Sequence, residues 1–370
     1  MASSMASGGS ALWSRLSVNN MLKTSDFEFE LPPGLIAQEP KEDRESARMM
    51  VVDRAAGTLT HHFVRDLPRF LKPADCLVLN DTRVIPARIF GKKEGTGGKV
   101  ELLLLEELQD GLWEALCGSS RRPKPGMRLI LAGGLILGDV TGWREGGGIL
   151  IRLHSERPVI EVLEEVGLPP LPPYIKRPDA PASDVVQRDR AFYQTVYARA
   201  PGAIAAPTAG LHLTESLLGK LDQQGVSRAT VTLHVGMGTF KPVSADIVTD
   251  HVMEAERYEV TPETAAVIAR ARAKGGRVVA VGSTSVRTLE TSAGEDGVIH
   301  AGSGRTRIFI YPPYRFKVVD AMLTNFHLPR STLIMMVSAF ADADLIREAY
   351  AEAVREKYYF YSYGDCMLIV

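Results

Sequence analysis

Apolar runs near the N-terminus are short and broken by polar turns. Asp26-Phe27-Glu28-Phe29-Glu30-Leu31 alternates acidic and apolar residues and ends in Pro32-Pro33, which predicts an ordered arm reaching to Pro40. Arg48 to Val52 and Thr60 to Phe63 are strand candidates about a Gly57 turn, together a hairpin. Cys76-Leu77-Val78-Leu79-Asn80 is an apolar strand that runs straight into Asp81-Thr82-Arg83. From about Val84 to Pro170 the pattern changes. Strand-like runs recur at Ala87 to Phe90, Val100 to Leu105, Leu112 to Leu116, Leu129 to Leu131, Leu135 to Leu137 and Ile149 to Leu153, separated by glycine-rich turns. Short strands with no helices between them predict a small antiparallel barrel or sandwich. A helix over Val159 to Val166 follows, and Leu168 to Pro173 is a stiff proline-rich connector.

Beyond Ser183 helices and strands alternate. A helix is predicted from Asp184 to Tyr197, then strands at Ala203 to Ala206, Ala229 to Val235, Arg277 to Val281, Arg307 to Tyr311 and Met322 to Phe326. Thr214 is a candidate N-cap for a helix carrying Leu217, Leu218 and Leu221. Pro262 opens the helix Thr264 to Ala273, and Asp344 to Tyr358 is a late amphipathic helix. Alternating strands and helices imply a parallel sheet or barrel. The early strand ending at Asn80 shares this character, so the small β domain is inserted into an α/β domain.

Composition narrows the class. With 370 residues, 45% hydrophobic and 24% charged, the chain suits two or three soluble domains. A net charge of −1 excludes a globally basic coat protein but not a local basic face. Cys76, Cys117 and Cys366 match no metal spacing and read as buried small hydrophobes in a reducing cytosol. No apolar run reaches the roughly 20 residues of a membrane span. Met1 to Asn20 is rich in Ser and Gly; its composition resembles a transit peptide, but a tag or over-long start is the more economical reading.

Candidate chemistry gathers where strands end. Asn80-Asp81-Thr82-Arg83, Pro207-Thr208-Ala209-Gly210-Leu211-His212, His234-Val235-Gly236-Met237-Gly238-Thr239-Phe240, Gly282-Ser283-Thr284-Ser285-Val286-Arg287 and Thr324-Asn325-Phe326-His327 each follow an apolar strand. Any one of these loops could be a turn whose polar groups satisfy the backbone. Five together predict a ligand site, because strand carboxyl ends share one rim in parallel α/β architectures. Gly236-Met237-Gly238 is followed by Lys241 where a third glycine would complete a dinucleotide fingerprint, and no Walker A, H-E-x-x-H or G-x-S-x-G sequence occurs. The scattered histidines propose no metal.

These loops resemble the S-adenosylmethionine:tRNA ribosyltransferase-isomerase family of queuosine biosynthesis. The resemblance is carried by Ala206 to His212, His234 to Phe240, Gly282 to Glu290 and Leu323 to Pro329 with Ser331-Thr332. It extends to Leu79 to Arg88 and to Phe360-Tyr361-Ser362-Tyr363-Gly364-Asp365-Cys366-Met367. It spans all but the first 20 residues. There are departures: Glu254 stands where the family usually has the second His of His-x-Met-His-x-Glu, Leu213 where Phe is usual and Ser283 where Thr is usual. The first shifts weight to His251 and Glu256.

The resemblance implies an α/β-barrel main domain (21–83 plus 174–370) with an inserted small antiparallel β-barrel domain (84–173). It implies transfer of the ribosyl group of S-adenosylmethionine to the aminomethyl-deazaguanine of a tRNA anticodon, with isomerisation to epoxyqueuosine and release of adenine and methionine. The partners are that tRNA and S-adenosylmethionine as co-substrate, with no prosthetic group, no metal and no membrane; a cytoplasmic monomer is expected. Two rivals stay open: an S-adenosylmethionine-dependent RNA methyltransferase, and a catalytically silent tRNA-binding relative.

The chemistry needs a base for a C5′ proton and an acid for the departing adenine. His212 or His234 is the candidate base, Asp81 or Glu256 assists, and His251 joins this catalytic set; a satisfied structural imidazole is the rival for each. Thr208, Gly210, Gly238 and Thr239 suit the ribose and methionine ends of the cofactor. Ser283, Thr284 and Ser285 lie where a helix starts, suited to a carboxylate or phosphate, with Ser285 an alternative N-cap of a helix Val286 to Thr291. Asn325 and His327 complete the cofactor set, His327 with loop bracing as the other reading. Arg83 and Arg287 are candidate carboxylate partners. For tRNA phosphates the candidates are Arg83 and Arg88 with Lys92, Lys93 and Lys99; Arg121, Arg122 and Lys124; Lys176 and Arg177; and Arg315 with Lys317, each alone also readable as solvated surface.

Overall fold

The computed structural model describes residues 21–144, 147–178, 182–236 and 243–370. The hairpin forms from β1 (Arg48–Asp53) and β2 (Thr58–Phe63), and the apolar strand is β3 (Cys76–Asn80). A short β4 (Thr82–Val84) leads into the insert, whose strands are β5 (Arg88–Lys93), β6 (Lys99–Gln109), β7 (Leu112–Gly118), β8 (Arg128–Leu131), β9 (Ile136–Trp143) and β10 (Gly148–His154). Helices α1 (Val159–Val166) and α2 (Ser183–Phe192) and strand β11 (Ala200–Ala203) lead back. Then come α3 (Glu215–Gln223), β12 (Ser227–Leu233), β13 (Glu256–Val260), α4 (Pro262–Ala273), β14 (Val278–Val281) and α5 (Gly282–Ser292). The chain ends with β15 (Gly302–Thr306), β16 (Ala321–Asn325), α6 (Thr332–Ala341), α7 (Ala343–Arg355) and β17 (Cys366–Ile369).

An α/β main domain with an inserted antiparallel barrel is therefore the architecture found. The main sheet has nine strands in the order β15-β13-β12-β3-β14-β16-β17-β1-β2. Its centre is parallel: β12, β3, β14 and β16 run together. The sheet is mixed rather than wholly parallel, because β13, β15 and β17 enter antiparallel to a neighbour. Alternation along the central strands explains the two cores. Cys76 and Val78 face one side with α4, α5, α6 and α7, while Leu77 and Leu79 face the other with Leu217, Leu218 and Leu221 of α3. Burial on both faces accounts for unbroken apolar runs such as Val278-Val279-Ala280-Val281.

The insert closes as a six-stranded barrel, β10-β7-β6-β5-β8-β9. Its inward side chains, among them Leu102, Leu104, Trp113, Leu129 and Ile151, are plugged by Val162 and Leu163 of α1. The chain leaves through β4 and returns through β11, which pairs beside it in a two-stranded parallel ladder. Two adjacent strands at the neck let the insert form without disturbing the β3–β12 pairing.

Several predicted elements shift. Helix α2 stops at Phe192, not Tyr197, because Arg44 donates to the Ala191 and Gln194 carbonyls and Gln194 pairs with the Val84 backbone. The strand expected at Ala203 to Ala206 is Ala200–Ala203, placed by pairing with β4. The strand expected at Arg307 to Tyr311 is the polar run Gly302–Thr306, since an edge strand on β13 needs backbone partners rather than an apolar face. Helix α5 begins at Gly282, four residues before the predicted start, and Ser285 donates to the Val281 carbonyl instead of capping. Helix α6 was not predicted, although Ser331 caps it ahead of an apolar run. Thr214 does cap α3, accepting from the Leu217 amide. Cys76 and Cys366 are buried, while Cys117 is only half-buried.

Candidate active site

The exits of β14 and β16, the turn after Ala205 and the start of α5 converge on a largely apolar cleft with a few polar groups. One part, of about 80 Å³, is lined by Thr208, Ser283, Thr284, Asn325, His327 and the aromatic pair Tyr174 and Tyr361. The adjoining part, of about 70 Å³, shares Ser283, Thr284 and Leu333 and adds His251, Glu254, Glu256, Arg287 and Phe309. Each is small against the ~300 Å³ or more of a typical ligand site. A larger groove of about 1030 Å³ lies beside the N-terminal arm and α7 and shares no lining residue with the cleft.

Helix α5 supplies the electrostatics. Gly282, at φ 82°, turns β14 directly into the helix, so the amides of its first turn open onto the cleft. Thr284 lies in that turn, 6% exposed, and its hydroxyl has no hydrogen-bond partner. One turn on, Arg287 is 4% exposed; its Nη1 donates to Glu256, whereas Nε and Nη2 have no partner. Glu256 also accepts from the Gly236 amide at 3.1 Å. Leaving such donors buried and unpaired costs about 1–3 kcal/mol each, more for a charged group. An anion seated at the N-terminus of α5 would recover that cost and meet the positive end of the helix dipole.

The imidazoles separate sharply. His251 lines the cleft edge-on to Phe309, with ring centroids 5.2 Å apart, and burial lowers its pKa below the ordinary 6.5. His327 also lines the cleft, its Nε2 2.9 Å from the Thr324 hydroxyl, and burial lowers its pKa to about 3. His212 lies in the wall behind Asn325 and lines neither part. Its Nε2 is 3.2 Å from Asn325 Oδ1, and burial lowers its pKa to about 4. Asn325 Nδ2 in turn donates to the Tyr361 carbonyl at 2.7 Å, so His212 holds the side chain that holds the cleft wall.

Other expected site residues stand outside the cleft. His234 contacts Thr82 Oγ1 at 2.9 Å near the neck, and burial followed by Arg257 lowers its pKa. Asp81 is 1% exposed, accepting from Thr232 at 2.6 Å and from Arg199 at 2.8 Å. Ser285 is fully buried and bonded within α5. Gly210 seats Tyr197: a Cβ there would lie 1.9 Å from the tyrosine hydroxyl. Gly238 and Thr239 fall outside the described residues.

The cationic candidates divide likewise. Arg83 pairs with Glu164, Arg88 with Glu101, and Arg177 forms a two-pronged bond with Asp189 at 2.9 Å per contact. These three are committed to carboxylates, and Arg83 does not reach the cleft. Arg121, Arg122, Lys124 and Lys176 are exposed. Reading the sequence missed Tyr174 and Phe309, whose only signal was aromatic character outside the recognised loops. Among the described residues no cluster of metal-ligating side chains occurs and no helix is long and apolar enough to cross a membrane.

Fold and cleft together define an α/β protein with a barrel insert and a cleft in which the start of α5 presents unpaired donors suited to a carboxylate or similar anionic group. Comparison with known proteins narrows this. The model of the family described as queuosine biosynthesis protein matches residues 24–369, and the chain belongs to that family. The S-adenosylmethionine:tRNA ribosyltransferase-isomerase of Moorella thermoacetica is 53% identical over 350 residues, covering 94% of this chain and all of the relative. That of Symbiobacterium thermophilum is 52% identical over 349 residues, with the same coverage. The crystal structure of the S-adenosylmethionine tRNA ribosyltransferase of Thermotoga maritima is 36% identical, covers 94% of this chain and all of that chain, and superposes with a TM-score of 0.53.

Proposed function

We propose that the chain transfers and isomerises the ribosyl group of S-adenosylmethionine onto the 7-aminomethyl-7-deazaguanine of a tRNA anticodon. The product is epoxyqueuosine-tRNA, and adenine and methionine leave. Family membership and relatives of that name at about half identity support the reaction. The observation that ties it to this cleft is the set of unpartnered donors on Arg287 and Thr284 at the start of α5. They suit the carboxylate of the methionine end. Tyr174 and Tyr361, with ring centroids 4.2 Å apart, offer the purine an aromatic wall.

The sulfonium acidifies the C5′ hydrogens, so a neutral imidazole is base enough to form the ylide. His251 is the imidazole that fits, since it lines the same part of the cleft as Arg287 and its lowered pKa keeps it unprotonated at neutral pH. Glu256, held by Arg287, relays protons toward the departing adenine. Thr208, Ser283, Asn325 and His327 shape the ribose end, while His212, His234 and Asp81 hold the walls and neck. Residues 21–83 and 174–370 form the catalytic unit, and 84–173 the unit that grips RNA, in a soluble enzyme that acts as a monomer in the cytoplasm. S-adenosylmethionine is a consumed co-substrate, with no prosthetic group or metal.

The test is incubation with S-adenosylmethionine and precursor-modified tRNA. Adenine and methionine should accumulate together, and Arg287→Gln should raise the KM for S-adenosylmethionine about tenfold or more. S-adenosylhomocysteine in place of adenine would turn the reading into a methyltransferase. No turnover with intact tRNA binding would leave a silent relative.

A further inference from the structure

The barrel bears an aromatic side chain that its own packing does not use. Trp113 on β7 fills the barrel core at 3% exposure, whereas Trp143 at the end of β9 is 51% exposed. That ring is nonetheless fixed in place. Its indole Nε1 donates to the Pro123 carbonyl at 2.9 Å, and the Arg122 guanidinium lies over it, 5.4 Å from the ring centroid. Arg122 is itself anchored by a bond to the Gly148 carbonyl. Exposed Arg121 and Lys124 flank it on the β7–β8 connection, and Arg144 follows it in sequence, paired with Glu114 at 2.8 Å. Phe90 offers a weaker parallel, since the arginine over it, Arg88, is already paired with Glu101.

We propose that Trp143 and Arg122 form a stacking platform for an unpaired nucleobase of the RNA substrate, on a cationic edge completed by Arg121, Lys124 and Arg144. The proposal rests on the reading of the chain as a tRNA-modifying enzyme. Every base has a π face and every nucleotide a phosphate, so an oriented indole beside guanidinium and ammonium groups matches a single-stranded nucleotide. It does not match a duplex, whose bases are already stacked on one another. The position fits a loop that must also reach the cleft. Arg144 lies within electrostatic reach of Glu106 and Arg305, and Arg305 donates both to Glu106 and, at 2.9 Å, to the Ala255 carbonyl. Ala255 sits between Glu254 and Glu256 in the cleft wall. One base of a loop can thus enter the cleft while another base of the same loop rests on the barrel.

The experiment measures binding of an anticodon stem-loop RNA, and of a blunt duplex of the same stem, to the full chain. Trp143→Ala should weaken stem-loop binding by about 5- to 150-fold, the usual span for losing one stacked base, and leave duplex binding unchanged. Trp143→Phe keeps a ring but not the bond to Pro123 and should recover most of the affinity. The salt slope of binding should stay as in the wild type for Trp143→Ala, because no phosphate contact is removed. In a Trp13→Phe background, stem-loop should quench the fluorescence of Trp143, while the buried Trp113 stays unquenched. That reading needs no variant of the platform and stands if Trp143→Ala fails to fold. Unchanged stem-loop affinity, equal losses for stem-loop and duplex, or absence of quenching would each overturn the platform. Wild-type adenine release distinguishes these outcomes from failure of the functional reading, which would show no turnover at all.

Discussion

Three imidazoles illustrate how much a single residue's surroundings decide. Burial holds His212 near a pKa of about 4 and His327 near about 3, so both stay neutral at physiological pH. Only His251 combines a lowered pKa with a half-open position in the cleft. A base works while unprotonated, so a lowered pKa extends activity toward acid. The acid limb of kcat/KM should therefore lie below 6.5 and vanish in His251→Ala, whose kcat should fall by about 10²–10⁴. His212→Ala should instead loosen the Asn325 brace, with a lower melting temperature and a kcat loss at least tenfold smaller. A larger loss at His212 than at His251, measured as single-turnover adenine release, would return the base role to His212.

Among the elements, helix α5 lines the cleft with its first turn, and its start differs from the one expected from the sequence. Reading Ser285 as an N-cap starts the helix at Val286, but the Gly282 conformation begins it immediately after β14. That shift makes Thr284 a first-turn donor and turns Ser285 into an internal side chain. Glu290 near the other end accepts from the Lys317, Val318 and Val319 amides at 2.8–3.2 Å, which fixes α5 against the loop before β16. Gly282→Ala forces a Cβ into a left-handed conformation at a cost of about 1–2 kcal/mol. The expected outcome is a lower melting temperature together with a raised KM for S-adenosylmethionine. A melting point and KM equal to wild type would show that the turn tolerates a side chain and that α5 is not positioned by it.

For the whole molecule, one ionic contact between barrel and sheet runs through Glu106. This β6 carboxylate meets Arg305 of β15 at 2.7 Å and Arg257 of β13 at 3.1 Å. Burial opposes its ionisation, but the Arg305 bond and the two guanidinium charges outweigh that and hold its pKa below the usual carboxylate value. Glu106→Gln should cost about 1–2 kcal/mol of barrel docking. Hydrogen exchange in β13 and β15 should then rise, and kcat/KM for tRNA should fall several-fold with the KM for S-adenosylmethionine unchanged. Unaltered exchange and tRNA kinetics would mean that the barrel is held elsewhere. The barrel insert, the parallel centre of the sheet, the capped helix after Thr214 and the family were all legible in the sequence, because those rest on local periodicity and contiguous motifs. Long-range contacts were needed to make Gly302–Thr306 a strand, to spend Arg83, Arg88 and Arg177 on carboxylates, and to bring His251 and His327 but not His212 to the cleft. The loop from Pro207 to His212 divides along that line. Its motif marked the rim, but burial behind Asn325, a contact 113 residues away in sequence, turned its histidine from the cleft into the wall.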